Sequence, residues 1–284
     1  MPVDLDARVL ANRRLSPDYN VLALEAPAIA KATAPGQFVM VKPGHDVNPL
    51  LRRPFSVFEI LRDEHGGPIG ISILSKRIGA TTRLLYDAEP GARVQCLGPL
   101  GRPFSLPAEG VEALMIAGGY GIAPFLMLSA ELRRRGGAGR VFYGGRTARD
   151  LQVRAPFAGL DVSVISATED GTLGHRGRVT EPLEAYLDGA HTPSALYACG
   201  PDPMLHAVAR IAEHRGLPCQ VSLDPWMGCG VGTCLGCVVW TQREDEARAK
   251  YRCACTEGPV FDASVVVWPA EGASWAHRRA KVAV

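Results

Sequence analysis

The stretch Met227-Gly228-Cys229-Gly230-Val231-Gly232-Thr233-Cys234-Leu235-Gly236-Cys237 carries three cysteines at C-x4-C-x2-C, and Cys253 and Cys255 follow a short way beyond. Three such thiols and a distant fourth form the plant-type ligand pattern of a [2Fe–2S] cluster. The glycines suit that chemistry, because a loop wrapping a cluster must turn tightly and aim N–H groups at sulfur. Structural zinc takes paired C-x2-C knuckles, and only Cys234/Cys237 make one here. Structural disulfides need an oxidising compartment, for which the chain carries no export signal. On spacing, the iron–sulfur reading stands ahead of both.

The fourth ligand is a choice between two thiols. In an extended segment Cys253 and Cys255 point to opposite faces, so one alone reaches the iron. Cys255 opens Cys255-Thr256-Glu257-Gly258-Pro259-Val260-Phe261, whose Gly-Pro turn re-aims the chain. Cys255 is therefore chosen and Cys253 held in reserve.

Further motifs are suited to nucleotides. In Arg52-Arg53-Pro54-Phe55-Ser56 an arginine, an aromatic ring and a hydroxyl can neutralise a phosphate, pack on a flat ring system and hydrogen-bond a ribityl chain. Gly79-Ala80-Thr81-Thr82 places a glycine turn and two hydroxyls at a helix start, a seat for pyrophosphate. Each alone is equally a strand start with a surface arginine, or an ordinary N-cap. Gly118-Gly119-Tyr120-Gly121-Ile122-Ala123-Pro124 is a glycine turn, but Pro124 breaks the G-x-G-x-x-G fingerprint, and such a turn can also serve packing. Tyr197-Ala198-Cys199-Gly200-Pro201-Asp202 again ends a strand and opens a helix. Cys199 taken alone reads as a small buried hydrophobe.

These motifs need three scaffolds. Residues 1–105 hold short runs such as Val21–Leu24, Phe38–Val41, Ser56–Ile60, Ile69–Leu74 and Arg93–Leu97 between Gly/Pro turns, which predicts a small antiparallel β-barrel with a short helix at Thr81–Tyr86. Residues 106–225 alternate strands (Ala113–Ala117, Arg140–Tyr143, Asp161–Ala167, Ser194–Ala198) with helices (Phe125–Arg135, Val179–Leu187, Asp202–His214). That order predicts an α/β domain with a parallel sheet and ligands at the strand carboxyl ends. Residues 226–268 are expected to form a small β module: a strand at Val238–Trp240, a solvated hairpin through Gln242–Lys250 and a strand at Ser264–Trp268. Residues 269–284, with His277, Arg278, Arg279 and Lys281, read as a loose tail.

With 284 residues, 47% hydrophobic and 21% charged, the chain has the make-up of an ordinary multidomain globular protein. Its 31 basic and 29 acidic residues leave a formal net charge of +2, which offers nothing to nucleic acid or a membrane surface. No apolar run approaches the roughly 20 residues that span a bilayer, and a cytoplasmic location is expected.

Together the Arg53–Ser56 and Gly79–Thr82 motifs, followed by Leu97-Gly98-Pro99-Leu100-Gly101-Arg102-Pro103-Phe104, resemble the FAD domain of the ferredoxin–NADP reductase superfamily. The Gly118 and Cys199-Gly200-Pro201 turns resemble that superfamily's NAD(P) domain, though Tyr120 stands where a smaller residue is usual. In this order with the cysteines, residues 5 to 268 closely resemble the electron-transfer subunits of class 1B dihydroorotate dehydrogenases. The resemblance implies one FAD and one [2Fe–2S] cluster per chain, held for the cluster by Cys229, Cys234, Cys237 and Cys255. It implies cofactor contacts from Arg53, Pro54, Phe55, Ser56, Leu74, Ser75, Lys76, Gly79, Thr81 and Thr82, and from Gly118, Gly119, Gly121, Cys199, Gly200 and Pro201. It also implies a partner subunit carrying FMN that oxidises dihydroorotate in pyrimidine synthesis, in a two-plus-two heterotetramer. Hydride carries two electrons, clusters take one at a time and FAD exchanges either, so FAD belongs between NAD(H) and the cluster. No Ser/His/Asp triad or acid–base pair is required, and none is found.

Arg146 and Arg149 against Glu169 and Asp170 offer both charge signs to a ribose 2′ position; the resemblance favours NADH. Related subunits serve sulfhydrogenases and NADH-dependent ferredoxin:NADP oxidoreductases, where an aspartate can replace one cluster ligand; the four thiols here speak against the latter. A standalone flavin reductase, a redox-sensing regulator and a zinc-stabilised binding protein complete the alternatives.

Overall fold

The computed structural model describes residues 1–44, 48–189 and 192–268; the tail expected at 269–284 lies outside them. Six strands, β1 (Val3–Arg14), β2 (Tyr19–Glu25), β3 (Phe38–Pro43), β4 (Arg53–Arg62), β5 (Pro68–Lys76) and β6 (Arg93–Leu100), close into an antiparallel barrel in the order β1-β2-β5-β4-β3-β6. Helix α1 (Pro27–Ala32) covers one side and α2 (Ala80–Asp87) follows β5. Val9, Leu22, Leu24, Val39, Val41, Val57, Ile71 and Ile73 fill the interior. Strand β1 lay outside the sequence expectation although its pattern is plain. Alternating Asp4, Asp6 and Arg8 with Leu5, Ala7 and Val9 is a half-buried strand's period of two, and Ala7 and Val9 are fully buried.

The second layer is a seven-stranded sheet. Strands β7 (Glu112–Gly118), β8 (Gly139–Gly145), β9 (Ser163–Thr168), β10 (His175–Arg176), β11 (Ser194–Cys199), β12 (Cys219–Ser222) and β15 (Val260–Asp262) are ordered β10-β9-β8-β7-β11-β12-β15. All pairings are parallel except β12 with β15. Helices α3 (Ala123–Arg134), α4 (Ala155–Ala158), α5 (Thr180–Gly189) and α6 (Asp202–Arg215) connect the strands. The alternation read from the sequence is present. Strands β12 and β15, of four and three residues, are too short for periodicity to reveal.

The last segment folds back into this sheet. Strands β13 (Val238–Thr241) and β14 (Lys250–Cys253) form a hairpin, after which β15 pairs with β12. The strand expected at Ser264–Trp268 is instead a 3-10 turn, Ala263–Val265, followed by a single bridge from Thr241 to Val266. Val265 and Trp268 pack on the hydrophobic core there, and around the bridge Gln242 N–H donates to Val265 O at 2.7 Å and Val267 N–H to Trp240 O at 3.0 Å. The hairpin turn is not wholly solvated: Glu246 reaches inward to Arg252, and their side chains are 9% and 8% exposed.

Linker residue Phe104 locks barrel to sheet. Its ring stacks on Phe125 at 5.8 Å and meets Tyr197 edge-on at 5.6 Å, while Tyr197 Oη donates to Ser105 O at 3.0 Å. Phe58 of the barrel joins the same cluster and is fully buried; burying such a ring contributes about 2–3 kcal/mol.

Candidate redox sites

The cysteine loop is irregular backbone stabilised by its own sulfurs. Gly230, Gly232 and the non-glycine Leu235 adopt positive φ of 77°, 81° and 53°. The turns aim N–H groups at thiols: Val231 and Cys234 donate to Cys229 Sγ at 3.4 Å, Gly236 to Cys234 Sγ at 3.4 Å and Gly232 to Cys255 Sγ at 3.1 Å. Cβ atoms on Gly228 or Gly236 would each stand 3.3 Å from Cys234 Sγ.

Among the described residues no three such side chains gather as ligands of one ion. The thiols instead lie as two groups, Cys229 with Cys234, and Cys237 with both Cys253 and Cys255. Two groups suit a two-iron cluster, one group to each metal. Burial alone would push the Cys229 thiol up, but N–H groups of Cys234 and Val231 bring it down to about 7. Cys237, hydrogen-bonded to Cys255, is lowered to about 6, while the same contact and burial raise Cys255. Ligands must be deprotonated, and preformed N–H donors favour that state. The donor set fits the group.

Residues 253–257 are not extended as the sequence reading assumed. Thr256 and Glu257 N–H both donate to Cys253 O, at 3.1 and 2.8 Å, so the chain turns tightly after β14. Cys253 and Cys255 are both buried, and each thiol is in hydrogen-bonding contact with Cys237.

The flavin-type motif lies on β4. Arg53 and Phe55 share one side of the strand and Pro54 and Ser56 the other. Arg53 donates to the carbonyls of Leu51 and Arg52 at 3.1 Å and is exposed. Neighbouring Arg52 is committed to Asp4, at 2.8 Å. On β5, Leu74 is buried, and buried Ser75 Oγ lacks a hydrogen-bond partner, as does Tyr19 Oη nearby on β2. Buried hydroxyls without a protein partner at the barrel's edge fit a polar ligand such as a flavin. Tyr19 escaped sequence reading because it follows the turn Ser16-Pro17-Asp18 rather than any motif.

Two candidates on this side are occupied otherwise. Lys76 Nζ binds Asp150 Oδ1 at 2.8 Å, a bridge from barrel to sheet domain. Thr82 Oγ1 accepts from Ile78 and Gly79 N–H at 2.9 Å and donates to Gly79 O at 3.1 Å, so it caps α2. At that turn Gly79 and Thr81 remain, with Thr81 buried.

The two nucleotide turns interlock at the ends of neighbouring parallel strands β7 and β11. A Cβ on Gly118 would come 2.5 Å from Pro201 Cδ, one on Gly121 would overlap the Cys199 carbonyl, and one on Gly200 would meet Gly118 at 2.9 Å. Packing therefore explains Gly118, Gly121 and Gly200, and Gly119 supplies the turn with φ +55°. Burial and the charge of Asp224 push the Cys199 thiol up to about 12. Asp224 is exposed at the residue level, and desolvation of its carboxyl by the surrounding protein, with the like charge of Asp202, raises it to about 6. Tyr120 stands 44% exposed over the cleft. At the ends of β8 and β9, Arg146 lies 3.7 Å from Asp150, and Asp170 is held by Thr172 at 2.6 Å.

Residues 224–267 match the iron–sulfur cluster binding domain of dihydroorotate dehydrogenase B, and residues 115–210 the oxidoreductase NAD-binding domain. The chain is 38% identical over 264 residues to the electron transfer subunit of dihydroorotate dehydrogenase B (NAD(+)) of Desulforamulus reducens, covering 93% of this chain and 98% of that one. The homologue from Aquifex aeolicus is 35% identical, over 94% of this chain and 100% of its own. Among solved structures, an NADH-dependent reduced ferredoxin–NADP oxidoreductase superposes with TM-score 0.78 at 25% identity, over 92% and 90% of the two chains. A ferredoxin–NADP reductase from Neisseria gonorrhoeae with bound FAD and NADP shares the fold, with TM-score 0.63 over 75% of this chain and 92% of the other. With relatives above 30% identity along almost the whole length, the chain belongs to the family of electron transfer subunits of dihydroorotate dehydrogenase B.

Proposed function

We propose that this chain is the NAD-linked flavoprotein subunit that passes electrons between NAD(H) and a partner carrying FMN, which oxidises dihydroorotate in pyrimidine synthesis. The working assembly is a cytoplasmic heterotetramer with two copies of each subunit. Contiguity carries the reading. Gly230 of the cysteine loop rests on Met40, Met40 is the register partner of Pro54, and Pro54 lies within the flavin-type motif. One strand, β3, thus separates the two sites.

When bound, FAD trades a hydride with NAD(H) and single electrons with the cluster. Arg53 neutralises a flavin phosphate, and Phe55 packs along the ring system. Ser56 and Ser75 offer hydroxyls to the flavin. The α2 start at Gly79 and Thr81 presents N–H groups to pyrophosphate. The turn that Gly118, Gly119 and Gly121 form against Cys199, Gly200 and Pro201 offers its backbone to the second dinucleotide, with Cys199, Gly200 and Pro201 beside the nicotinamide. Cys229, Cys234, Cys237 and Cys255 hold the cluster. Cys234 is exposed, and exposed Trp226, Val231 and Leu235 on the same loop give the partner an apolar rim to cover.

The test is an anaerobic visible spectrum before and after NADH, with released flavin, iron and sulfide assayed. Flavin and cluster bands both bleached by NADH support the wire, and copurification with an FMN protein supports the partner. A colourless protein containing zinc would overturn both cofactor assignments.

A further inference from the structure

Helix α2 is gripped at the end opposite Gly79. Asn12 of β1 sends its amide to the carbonyls that close the helix: Nδ2 donates to Leu85 O and Tyr86 O at 3.0 Å and to Ala88 O at 2.8 Å. The last carbonyls of a helix have no partner within it. Ala88, the C-cap, is extended rather than the left-handed residue that commonly satisfies them. Asn12 Oδ1 accepts from Asn20 Nδ2 at 2.7 Å, and Asn20 is fully buried on β2. Tyr86 Oη adds a bond to Ser16 O at 2.9 Å. The hairpin of β1 and β2 thus fixes the carboxyl end of α2 from far away in sequence.

The amino end is left clear. Among the described residues no side chain caps its first N–H groups, because the N-cap is Gly79 and Thr82 Oγ1 turns back to the N–H groups of Ile78 and Gly79. Gly79 has φ −148°, which any residue adopts, and nothing stands within 4 Å of where its Cβ would be. Neither backbone nor packing therefore demands glycine there; its effect is to leave the positive end of the helix approachable.

We propose that Asn12, held in turn by Asn20, is a positioning residue for FAD: it aims α2 so that the N–H groups of the helix's first turn meet the FAD pyrophosphate. Eight residues are too few for a helix to hold its own shape, so its direction is set by what ties it to the barrel. A side-chain amide suits that task, because it donates to several carbonyls at once and adds no charge to either end. The proposal rests on the reading that α2 seats that pyrophosphate.

The experiment compares the unmodified chain with Asn12→Leu, which keeps the side-chain volume without a donor, and Asn12→Asp, which keeps the oxygen facing Asn20. Four quantities are measured: the FAD Kd by isothermal titration, the phosphorus magnetic resonance of bound FAD, the visible flavin bands and the thermal midpoint. Both variants should raise the FAD Kd about tenfold, the loss expected for one spoiled hydrogen bond to a charged group. The two phosphorus resonances should move while the visible bands stay in place, since the ring system lies elsewhere. If leucine or aspartate prevents folding, Asn12→Ser keeps a shorter donor and should give a smaller change of the same kind. Variants that melt earlier but keep the Kd and the phosphorus resonances of the unmodified chain would make Asn12 a structural cap and overturn the proposal. Gly79→Asp tests the underlying reading. An aspartate N-cap favours the helix but faces the phosphate with a like charge, so it should weaken FAD binding without lowering the thermal midpoint of the flavin-free chain. Normal FAD affinity in Gly79→Asp would mean that α2 is not the pyrophosphate seat, and that reading would fall rather than the role of Asn12 alone.

Discussion

Gly230 and Met40 touch where the cysteine loop lands on the barrel: a Cβ on Gly230 would stand 2.6 Å from Met40 Cγ, and Leu100 Cδ1 would be 3.1 Å away. Gly230 also has φ +77°, a conformation that disfavours any side chain. Gly230→Ala should therefore lift the loop off β3 rather than destroy it. Stopped-flow mixing with NADH, read at flavin and cluster wavelengths, should show normal flavin reduction. Cluster reduction should slow by up to about 100-fold, since a displacement near 1 Å can carry a penalty of that order. Equal slowing of both signals would place the defect at the nucleotide site instead.

Gly121 belongs to the other end of the route. With the Cys199 carbonyl oxygen 2.3 Å from where a Cβ would stand, Gly121→Ala must push apart the two turns that frame the nucleotide cleft. We expect KM for NADH, assayed with an artificial acceptor, to rise about tenfold, equivalent to ~1.4 kcal/mol. FAD and iron content should be unchanged. An unaltered KM would mean that NADH approaches by another face.

The three-part architecture was legible because each part has its own period. Barrel strands break at Gly/Pro turns, the sheet domain alternates apolar strands with helices, and the cysteines mark the rest. The spacing of Cys229, Cys234 and Cys237 was readable because a covalent ligand set depends on few residues. Where the sequence misled, a local rule met a tertiary contact. Cys253 and Cys255 were placed on opposite faces by strand periodicity, but bonds to Cys253 O turn the chain there. Thr82 carries a hydroxyl that suits phosphate and helix caps alike, and only the structure shows that it caps α2. Glu246 sits in a run of charges that hides its buried partner, Arg252, six residues on. Tyr19 and Asp224 have no motif around them, and only the fold brings them to the cleft.

Thr82 and Arg53 can be separated on that basis. Loss of a side-chain cap costs about 1 kcal/mol, so Thr82→Val should lower the thermal midpoint by a few degrees while leaving FAD affinity alone. Arg53 has no carboxylate partner among the described residues, and losing a charged hydrogen bond to phosphate costs about 1.5–3 kcal/mol. Arg53→Ala should raise the FAD Kd roughly 10- to 100-fold with little change in stability once flavin is saturating. Isothermal titration with FAD and melting curves on the same samples would show it. The reverse pattern would exchange the two roles.

Glu246 makes the cluster module's stability depend on pH. Its carboxylate pairs with Arg252, accepts from Arg243 N–H at 3.0 Å and lies 3.2 Å from Lys250 Nζ. Arg252 also donates to Thr241 Oγ1 at 2.5 Å and lies 3.5 Å from Glu257, so the network ties hairpin to cysteine turn. The Arg252 hydrogen bond, followed by the Arg243 N–H, lowers the Glu246 carboxyl from 4.5 to about 2. A carboxyl held below its unfolded value stabilises the fold fully above the unfolded pKa, and that contribution disappears as pH falls through the folded one. Glu246→Gln should accordingly melt earlier than the unmodified chain at pH 7. The gap should narrow from about pH 4.5 downward and close near pH 2. Trp240 packs 4.7 Å from Tyr251 within the same hairpin, so tryptophan fluorescence during thermal melts at each pH follows the affected element. A gap that stays constant from neutral to acid pH would show that glutamine loses packing rather than charge.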